Sequence, residues 1–220
     1  MTDRKGRLLG VIFDMDGVLC ASEPFTAEAA SRMFAEKGYT VGREEYRPFV
    51  GQGEDRFIGG VAEARGIPLD PAKDKARVYE LYGELIRGNL RPLRGAVDFV
   101  KHCRQRGLAL AIASSADAIK VEMNLTQIGL EPSLFRAIVH GHMVVRKKPA
   151  PDIFLEAARL LDLPNGDCLV IEDAVAGVAA AVAAGSRCLA LTTTFPADRL
   201  DAADWIAKDL SEVPLEALDW

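Results

Sequence analysis

The sequence has 220 residues, 49% of them hydrophobic and 27% charged, a composition typical of a globular protein with one sizeable core and a small accessory domain. The formal net charge of −5 argues against a nucleic-acid binder, since such proteins present basic surfaces. No apolar run approaches the roughly 18 residues of a membrane span, and the polar, basic start does not resemble a signal peptide. We therefore expect a cytoplasmic protein, a monomer or weak dimer, that binds neither nucleic acid nor membrane.

The cysteines and histidines do not form a disulfide or zinc pattern. The four cysteines stand far apart, with no CxxC pair, so we expect buried free thiols rather than a framework of bridges. His140 and His142 alternate at a predicted strand end but have no further partners in sequence. We therefore do not expect histidine to ligate a metal.

Strand-like and helix-like segments alternate along most of the chain. Five short apolar runs without polar alternation are typical of buried parallel strands: Leu9–Phe13, Leu108–Ala113, Ala137–His140, Cys168–Ile171 and Cys188–Leu191. Four segments between or after them are predicted to be helical, and three of these end at a glycine: Ala96–Arg106, Ala118–Ile128, Asp152–Leu161 and Ala174–Ala184. The alternation predicts an α/β fold with a doubly wound parallel sheet.

The stretch between the first and second predicted strands is far too long for a plain crossover. It contains three helix-like runs, Pro24–Lys37, Glu54–Arg65 and Ala72–Arg87, and no convincing strand. Turn residues around 88–92 indicate a return to the core. We predict a core domain of residues 1–19 and 90–220, with residues 20–89 inserted as a helical cap domain.

Two predicted strands end in pairs of acidic residues. Asp14 and Asp16 follow the first strand, ahead of Gly17, and Glu172 and Asp173 follow the fourth. The carboxyl ends of parallel strands are where open α/β sheets bind ligands. Carboxylates crowded at one edge repel each other unless a cation is shared, and oxygen ligands without His or Cys favour Mg²⁺. For Asp173 the structural alternative is capping of the helix that follows.

Two further segments supply groups suited to a phosphate. The second strand ends in Ser114 and Ser115, whose hydroxyl and backbone N–H groups could donate to phosphoryl oxygens, although simple helix capping is an alternative. Lys148 lies on a proline-containing loop ahead of a helix, where a fixed cation could offset both a phosphate and a neighbouring carboxylate. Lys147 is expected to be solvated.

In this order on successive strand ends, these residues resemble the motifs of the haloacid dehalogenase superfamily. The matching segments are DMDGV at Asp14, the strand end at Ser114, Lys148-Pro149 and Glu172-Asp173. The phrases KPAPDIF and IEDAVAGV are similar to the β-phosphoglucomutase-like branch, which carries a helical cap after the first strand. The resemblance covers essentially the whole chain.

The resemblance implies a role for each of these residues. Asp14 would attack phosphorus, while Asp16 would protonate the leaving group and then activate water. Ser114, with Ser115 beside it, and Lys148 would bind the phosphoryl group. Such a division of work suits phosphoryl transfer, which depends on positioning and charge neutralisation.

The resemblance also implies a Mg²⁺ cofactor. Asp14, the backbone carbonyl of Asp16, and Asp173 would hold the ion, with Glu172 adjacent or participating.

The cap departs from the pattern of the sugar-phosphate mutases in that branch. The segment 51–56 carries Glu54 and Asp55 where those enzymes have an arginine for a second phosphate, and Arg56 is a candidate substitute for phosphate binding. The mutases' histidine after the first motif is replaced around Thr26, and their lysine after the second motif corresponds to Asp117.

We therefore predict a Mg²⁺-dependent phosphatase acting on a small phosphorylated metabolite, a sugar phosphate, through an aspartyl phosphate. The alternatives are a β-phosphoglucomutase-like mutase and a regulatory domain of a larger protein.

Overall fold

The computed structural model describes residues 7–50 and 53–220. Its centre is a six-stranded sheet in which every strand pairs parallel to its neighbours, in the order β3-β2-β1-β4-β5-β6. The strands are β1 Gly10–Phe13, β2 Ala109–Ala113, β3 Ala137–Val139, β4 Cys168–Glu172, β5 Arg187–Leu191 and β6 Trp205–Ala207. The predicted doubly wound parallel sheet is confirmed.

The α-helices agree with the predicted helical segments to within one residue at each end. In chain order they are α1 Glu23–Glu36, α2 Glu54–Arg65, α3 Pro71–Ile86, α4 Ala96–Gln105, α5 Ala118–Ile128, α6 Asp152–Leu161 and α7 Val175–Ala184. Glycines with positive φ end α2, α5 and α7, as expected for the left-handed position after a helix. The periodicity of the apolar residues was therefore sufficient to locate these elements.

A sixth strand and several short 3₁₀ helices have no counterpart in the sequence prediction. Strand β6 pairs with β5 at the edge of the sheet and is three residues long. Its three residues are apolar, but a run this short does not predict a strand. Its central residue, Ile206, is 38% exposed, as expected at the edge of a sheet. A 3₁₀ helix over Arg43–Phe49, with Pro48 inside it, precedes α2.

Strand β1 lies in the middle of the sheet and is buried on both faces. Val11 and Phe13 belong to the apolar cluster on one face, and Ile12 belongs to the cluster on the other. Phe13 meets the rings of Phe99 and Phe135 edge-on, with centroids 6.2 Å away in each case. The residues that follow β1 therefore start from a strand that packing holds on every side.

The helices α1, α2 and α3 follow β1 and precede α4 in the sequence, and α3 packs against both α1 and α2. The ring of Tyr46, in the 3₁₀ helix, stacks on Phe57 of α2 with centroids 4.8 Å apart. The backbone of Cys20 forms isolated β-bridges with Asp16 and with Pro92. The chain leaving β1 and the chain returning toward α4 therefore run side by side. The division into a core and a separate cap domain stays a prediction, as does anything that depends on Gly51 and Gln52, which lie outside the described residues. In the part of the chain that the structure describes, no helix is long and apolar enough to cross a membrane.

Candidate active site

The carboxyl ends of β1, β2 and β4 meet at one edge of the sheet. In register, Phe13 lies opposite both Ile112 and Ile171, so the polar residues that follow these strands converge. They open onto a cavity of about 510 Å³ between the sheet and helices α1 and α2. Seven of the eight predicted site residues line it: Asp14, Asp16, Ser114, Ser115, Lys148, Glu172 and Asp173.

Lys148 is the cation at the centre of this cluster. Its Nζ lies 2.5 Å from Asp14 Oδ1 and 2.6 Å from Glu172 Oε1, and it donates to the carbonyl of Ala113 at 3.4 Å. The side chain is 5% exposed, and its Nζ lies 4.9 Å from the centre of the Phe154 ring. Burial by itself would lower the pKa of Lys148, but Asp14 and Glu172 outweigh it and hold that pKa above its usual value.

Asp14 is buried beside two other carboxylates. Burial raises its pKa to about 7; Lys148 opposes this shift, while the nearby charges of Glu172 and Asp16 add to it. As the predicted nucleophile, Asp14 would have to be ionised, and positive charge close by favours that state. Lys148 supplies part of that charge.

Glu172 holds Lys148 in place, because both of its carboxylate oxygens are occupied. Oε1 binds Lys148, and Oε2 accepts the backbone N–H groups of Asp173 at 2.8 Å and Ala174 at 3.0 Å. A side chain at Gly177 would collide with this carboxylate, so a residue without Cβ is needed for α7 to approach it.

Asp173 is a buried carboxylate for which no cationic partner is found among the described residues. Burial, followed by the charges of Glu172 and Asp14, raises its pKa well above the usual range. A Cβ on Gly17, whose φ is +80°, would collide with the Asp173 carboxylate. The residue before α7 is Ala174, and no side chain caps that helix. The capping alternative for Asp173 therefore does not account for its position.

The Asp16 carboxylate has partners other than Lys148, one before α1 and one on α5. Its Oδ1 accepts the hydroxyl of Ser22, and its Oδ2 lies 3.1 Å from Lys120 Nζ. Lys120 also pairs with Glu54 Oε1 at 3.0 Å. Neither Lys120 nor Glu54 was predicted as a site residue. The lysine that the mutases carry after the second motif corresponds to Asp117 in this chain, so the motif did not point to Lys120.

A signal for Lys120 is nevertheless present in the sequence. Helix α5 buries Lys120 together with Val121, Asn124, Leu125 and Ile128. The lysine and the asparagine, four residues apart, therefore lie on the apolar face of the helix. Polar residues on such a face need buried partners.

The two serines after β2 lie at the floor of the cavity. Ser114 is 1% exposed, and its Oγ accepts the backbone N–H of Ala116 at 3.1 Å, which leaves its hydroxyl proton available to a ligand. Helix α5 begins after Asp117 and has no side-chain cap. Capping by Ser114 or Ser115 is therefore not observed.

Arg56 does not line the cavity, unlike the other predicted residues. Its guanidinium pairs with Glu63 at 2.7 Å and lies 5.2 Å from the centre of the Phe49 ring, with the side chain 52% exposed. A phosphate contact would require Arg56 to leave Glu63, and its role as a phosphate ligand stays a prediction.

The chemistry of the donor set fits Mg²⁺ better than a softer metal. Within residues 7–50 and 53–220, no three His, Cys, Asp or Glu side chains form a metal cage; His142 pairs with Asp117 instead, at 2.6 Å. Mg²⁺ usually takes one or two carboxylates and completes its shell with water and phosphate oxygens. Asp173 is one such carboxylate, and Asp14 is another through Oδ2, since only its Oδ1 contacts Lys148. Both carboxylate oxygens of Asp16 and of Glu172 already have partners.

Replacing Lys148 should make stability depend on pH. In Lys148→Met, Asp14 and Glu172 lie buried without a cation. The pKa of Asp14, already raised by burial to about 7 and now without the opposing charge of Lys148, stays well above its unfolded value. The free energy of unfolding then falls as pH rises from the unfolded-state pKa of Asp14 through its folded-state pKa. We expect a loss of about 3–5 kcal/mol at pH 8 and a smaller loss at pH 5, measured by urea denaturation without divalent cations.

Lys147→Met is the matched control, because Lys147 is exposed and bonds only to backbone carbonyls. Its effect should stay within about 0.5 kcal/mol at both pH values. Equal losses in the two variants, or a Lys148→Met loss that does not change with pH, would contradict the assignment.

Comparison with known proteins places this arrangement in a family. The profile of haloacid dehalogenase-like hydrolases matches residues 8–185. The chain is 45% identical over 199 residues to SUPPRESSOR OF QUENCHING 1, chloroplastic, of Arabidopsis thaliana; that match covers 88% of this chain but only 19% of the Arabidopsis protein. It is 30% identical over 214 residues to hexitol phosphatase A of Escherichia coli, covering 94% of each.

A solved structure shows the same architecture. CbbY from Rhodobacter sphaeroides in complex with phosphate superposes with a TM-score of 0.86 at 28% identity, covering 97% of this chain and 100% of CbbY. A mutant of CbbY in complex with xylulose-(1,5)bisphosphate superposes with a TM-score of 0.85 at 27% identity, with the same coverage. With its sheet, its strand-end residues and its matched profile, the chain belongs to the haloacid dehalogenase-like hydrolases.

Proposed function

We propose that this protein is a Mg²⁺-dependent phosphatase that hydrolyses a sugar phosphate or a similar small phosphorylated metabolite through an aspartyl phosphate on Asp14. The observation that supports this most is the contact of 2.5 Å between Lys148 and Asp14, both of which line the cavity. Hexitol phosphatase A, similar along nearly its whole length, is named as a phosphatase, and CbbY was crystallised with a phosphorylated sugar.

The reaction takes place in two steps at the same phosphorus atom. An oxygen of Asp14 attacks phosphorus, the bond to the ester oxygen breaks, and Asp16 gives that oxygen its proton, so that a neutral alcohol leaves. Water then attacks the aspartyl phosphate while Asp16 takes a proton back, and inorganic phosphate and Asp14 are released. In this proposal Asp16 serves both steps, because it lines the cavity two residues after Asp14 and the leaving group would lie on its side.

Charge neutralisation is shared among groups around Asp14. Lys148 and the hydroxyl of Ser114 face the position of the phosphoryl oxygens. Asp14, Asp173 and the backbone carbonyl of Asp16 would hold Mg²⁺, which neutralises phosphoryl charge when bound. Glu172, engaged by Lys148 and two backbone N–H groups, keeps the lysine in place and is not needed as a ligand.

The charges on the cap side of the cavity favour hydrolysis over the mutase alternative. A mutase holds a bisphosphate, so it needs a second cationic site. Glu23 and Glu54 line this side of the cavity with the rings of Phe49 and Phe57, and Lys120 is already paired with Asp16 and Glu54. A carboxylate repels a phosphate by about 1–4 kcal/mol at 4 Å for effective dielectrics from bulk water to a protein surface.

The third alternative, a regulatory domain of a larger protein, is kept open by the Arabidopsis relative, which is about five times longer than its matched part. A domain of that kind could still be an active phosphatase, because the residues proposed here for catalysis all line the cavity. The cytoplasmic location and the monomeric or weakly dimeric state stay predictions.

Replacing the proposed nucleophile should abolish turnover without unfolding the protein. In Asp14→Asn the amide is isosteric but cannot attack phosphorus, so we expect a loss of several orders of magnitude in kcat. Hydrolysis of p-nitrophenyl phosphate and thermal melting measure the two properties side by side. Turnover close to that of the unchanged protein, in a folded variant, would rule out Asp14 as nucleophile.

Binding of Mg²⁺ should stabilise the protein and should depend on Asp173. A ligand at ~100 times its Kd stabilises the folded state by about 2.7 kcal/mol, so Mg²⁺ should raise the melting temperature, and chelation should remove activity. Asp173→Ala should lose the shift in melting temperature. Glu172→Gln is the comparison: it should lower activity but keep the shift. Full activity after exhaustive chelation, or a normal shift in Asp173→Ala, would contradict this metal site.

Phosphorus NMR separates the phosphatase from the mutase. With β-glucose 1-phosphate and a bisphosphate primer, we expect inorganic phosphate to accumulate and little glucose 6-phosphate to form, since the cap side of the cavity carries carboxylates. Conversion to the 6-phosphate much faster than phosphate release would establish the mutase instead. Arg56→Ala is a useful companion variant, because only a mutase that recruits Arg56 should lose interconversion in it.

A further inference from the structure

Lys120 is a buried cation that the phosphoryl-transfer chemistry above does not use directly. Its side chain is 4% exposed, and its Nζ contacts carboxylates from two parts of the chain, Asp16 Oδ2 at 3.1 Å and Glu54 Oε1 at 3.0 Å. The same Nζ lies 5.8 Å from the centre of the Tyr82 ring. An ammonium group this deeply buried is stable only while its partners stay in place.

Glu54 joins the inserted helices to the core at this point. It is the first residue of α2, with a side chain 4% exposed. Its Oε1 binds Lys120, and its Oε2 accepts the backbone N–H of Asp117, just before α5, at 3.3 Å. Glu54 thus binds the beginning of α5 through two different atoms. These two bonds exist only when α2 is docked against α5.

Both oxygens of the Asp16 carboxylate are held by side chains outside β1, one from the start of the insertion and one from α5 of the core. Oδ1 accepts the hydroxyl of Ser22, the residue before α1. Oδ2 is held by Lys120, which Glu54 holds in turn. The orientation of Asp16 toward the leaving-group side of the cavity therefore depends on side chains that lie outside β1.

We propose that Lys120 and Glu54 are positioning residues, which link the orientation of the Asp16 carboxylate to the docking of α2 on the core. The inference rests on the proposed function, in which Asp16 protonates the leaving group. With α2 docked, Lys120 holds Asp16 where the ester oxygen lies. With α2 undocked, Glu54 leaves, and Lys120 and Asp16 are exposed to water and reorient. Proton donation is thereby confined to the state in which α2 is docked.

A second ion pair between the insertion and the core provides a control. Lys75 of α3 binds Asp117 at 3.0 Å and Asp55 at 2.6 Å, close to the same interface. No contact of Lys75 with Asp16 is found among the described residues. Lys75→Met removes an ion pair from this interface but leaves the contacts of Glu54 with Lys120 and Asp117 in place. A general effect of a lost interfacial ion pair should therefore appear in the Lys75, Lys120 and Glu54 variants alike, whereas the positioning role should appear only in the last two.

The test compares two aryl phosphates whose leaving groups differ in their need for a proton. Phenyl phosphate releases a phenol of pKa about 10, which needs protonation, and 2,4-dinitrophenyl phosphate releases a far weaker base. The measured quantity is kcat/KM with Mg²⁺, which reports the steps through formation of the phosphoenzyme. Far-UV circular dichroism and melting check that Lys120→Met, Glu54→Gln and Lys75→Met are folded.

We expect the loss for phenyl phosphate to exceed the loss for the dinitrophenyl ester by about tenfold in Lys120→Met and about threefold in Glu54→Gln, within the 10²–10⁴-fold that a general acid supplies. Lys75→Met should change both esters by the same factor. Glu54→Gln keeps Lys120 and a side chain of the same size, so its result decides the question even if Lys120→Met does not fold.

Equal losses for the two esters in Glu54→Gln, no loss at all, or the same ester-dependent loss in Lys75→Met would overturn the positioning role. Each of these outcomes leaves the phosphatase proposal standing, because the unchanged protein still hydrolyses both esters. Failure of the unchanged protein to hydrolyse either ester would overturn the proposed function, and the positioning role with it.

Discussion

The contact of Lys148 with Asp14 and Glu172 is the interaction on which the rest of the site depends. Three charged side chains from three separate segments are buried together, and each carboxylate would be costly there without the ammonium group. Glu172 is fixed in turn by the backbone N–H groups at the start of α7, and Gly177 lets that helix come close. Asp14, the proposed nucleophile, is thus held in place by an electrostatic network rather than by its own strand alone.

The parallel sheet explains why these groups can meet. Strands β1, β2 and β4 are adjacent, although long segments separate them in sequence. Right-handed crossovers return each strand in the same direction, so residues that follow the strands share one edge. Burial of β1 on both faces gives Asp14 a rigid base, which phosphoryl transfer requires more than it requires unusual reactivity.

The inserted helices control the other side of the cavity. Among their described residues, those that line the cavity include no cation. They include Glu54, which pairs with Lys120 from the core. Where the sugar-phosphate mutases are expected to have an arginine, this chain has a carboxylate that is fully engaged. The presence of Glu54 instead of an arginine therefore affects which leaving groups the cavity accepts, and it also affects how Asp16 is oriented.

The order and bounds of most helices and strands follow from the sequence, because apolar periodicity and terminal glycines are local signals. The choice of candidate site residues also follows from the sequence for Asp14, Ser114, Lys148 and Asp173, since each follows a recognisable strand or lies in a proline-rich loop. Local signals could not show β6, whose three residues are stabilised only by pairing with β5. They also could not show that Arg56 turns to Glu63, that Glu172 is bound at both oxygens, or that Lys120 meets Asp16 across 104 residues. Only the tertiary structure decides those contacts, because the energy of a buried charge depends on which distant partners the fold brings within reach.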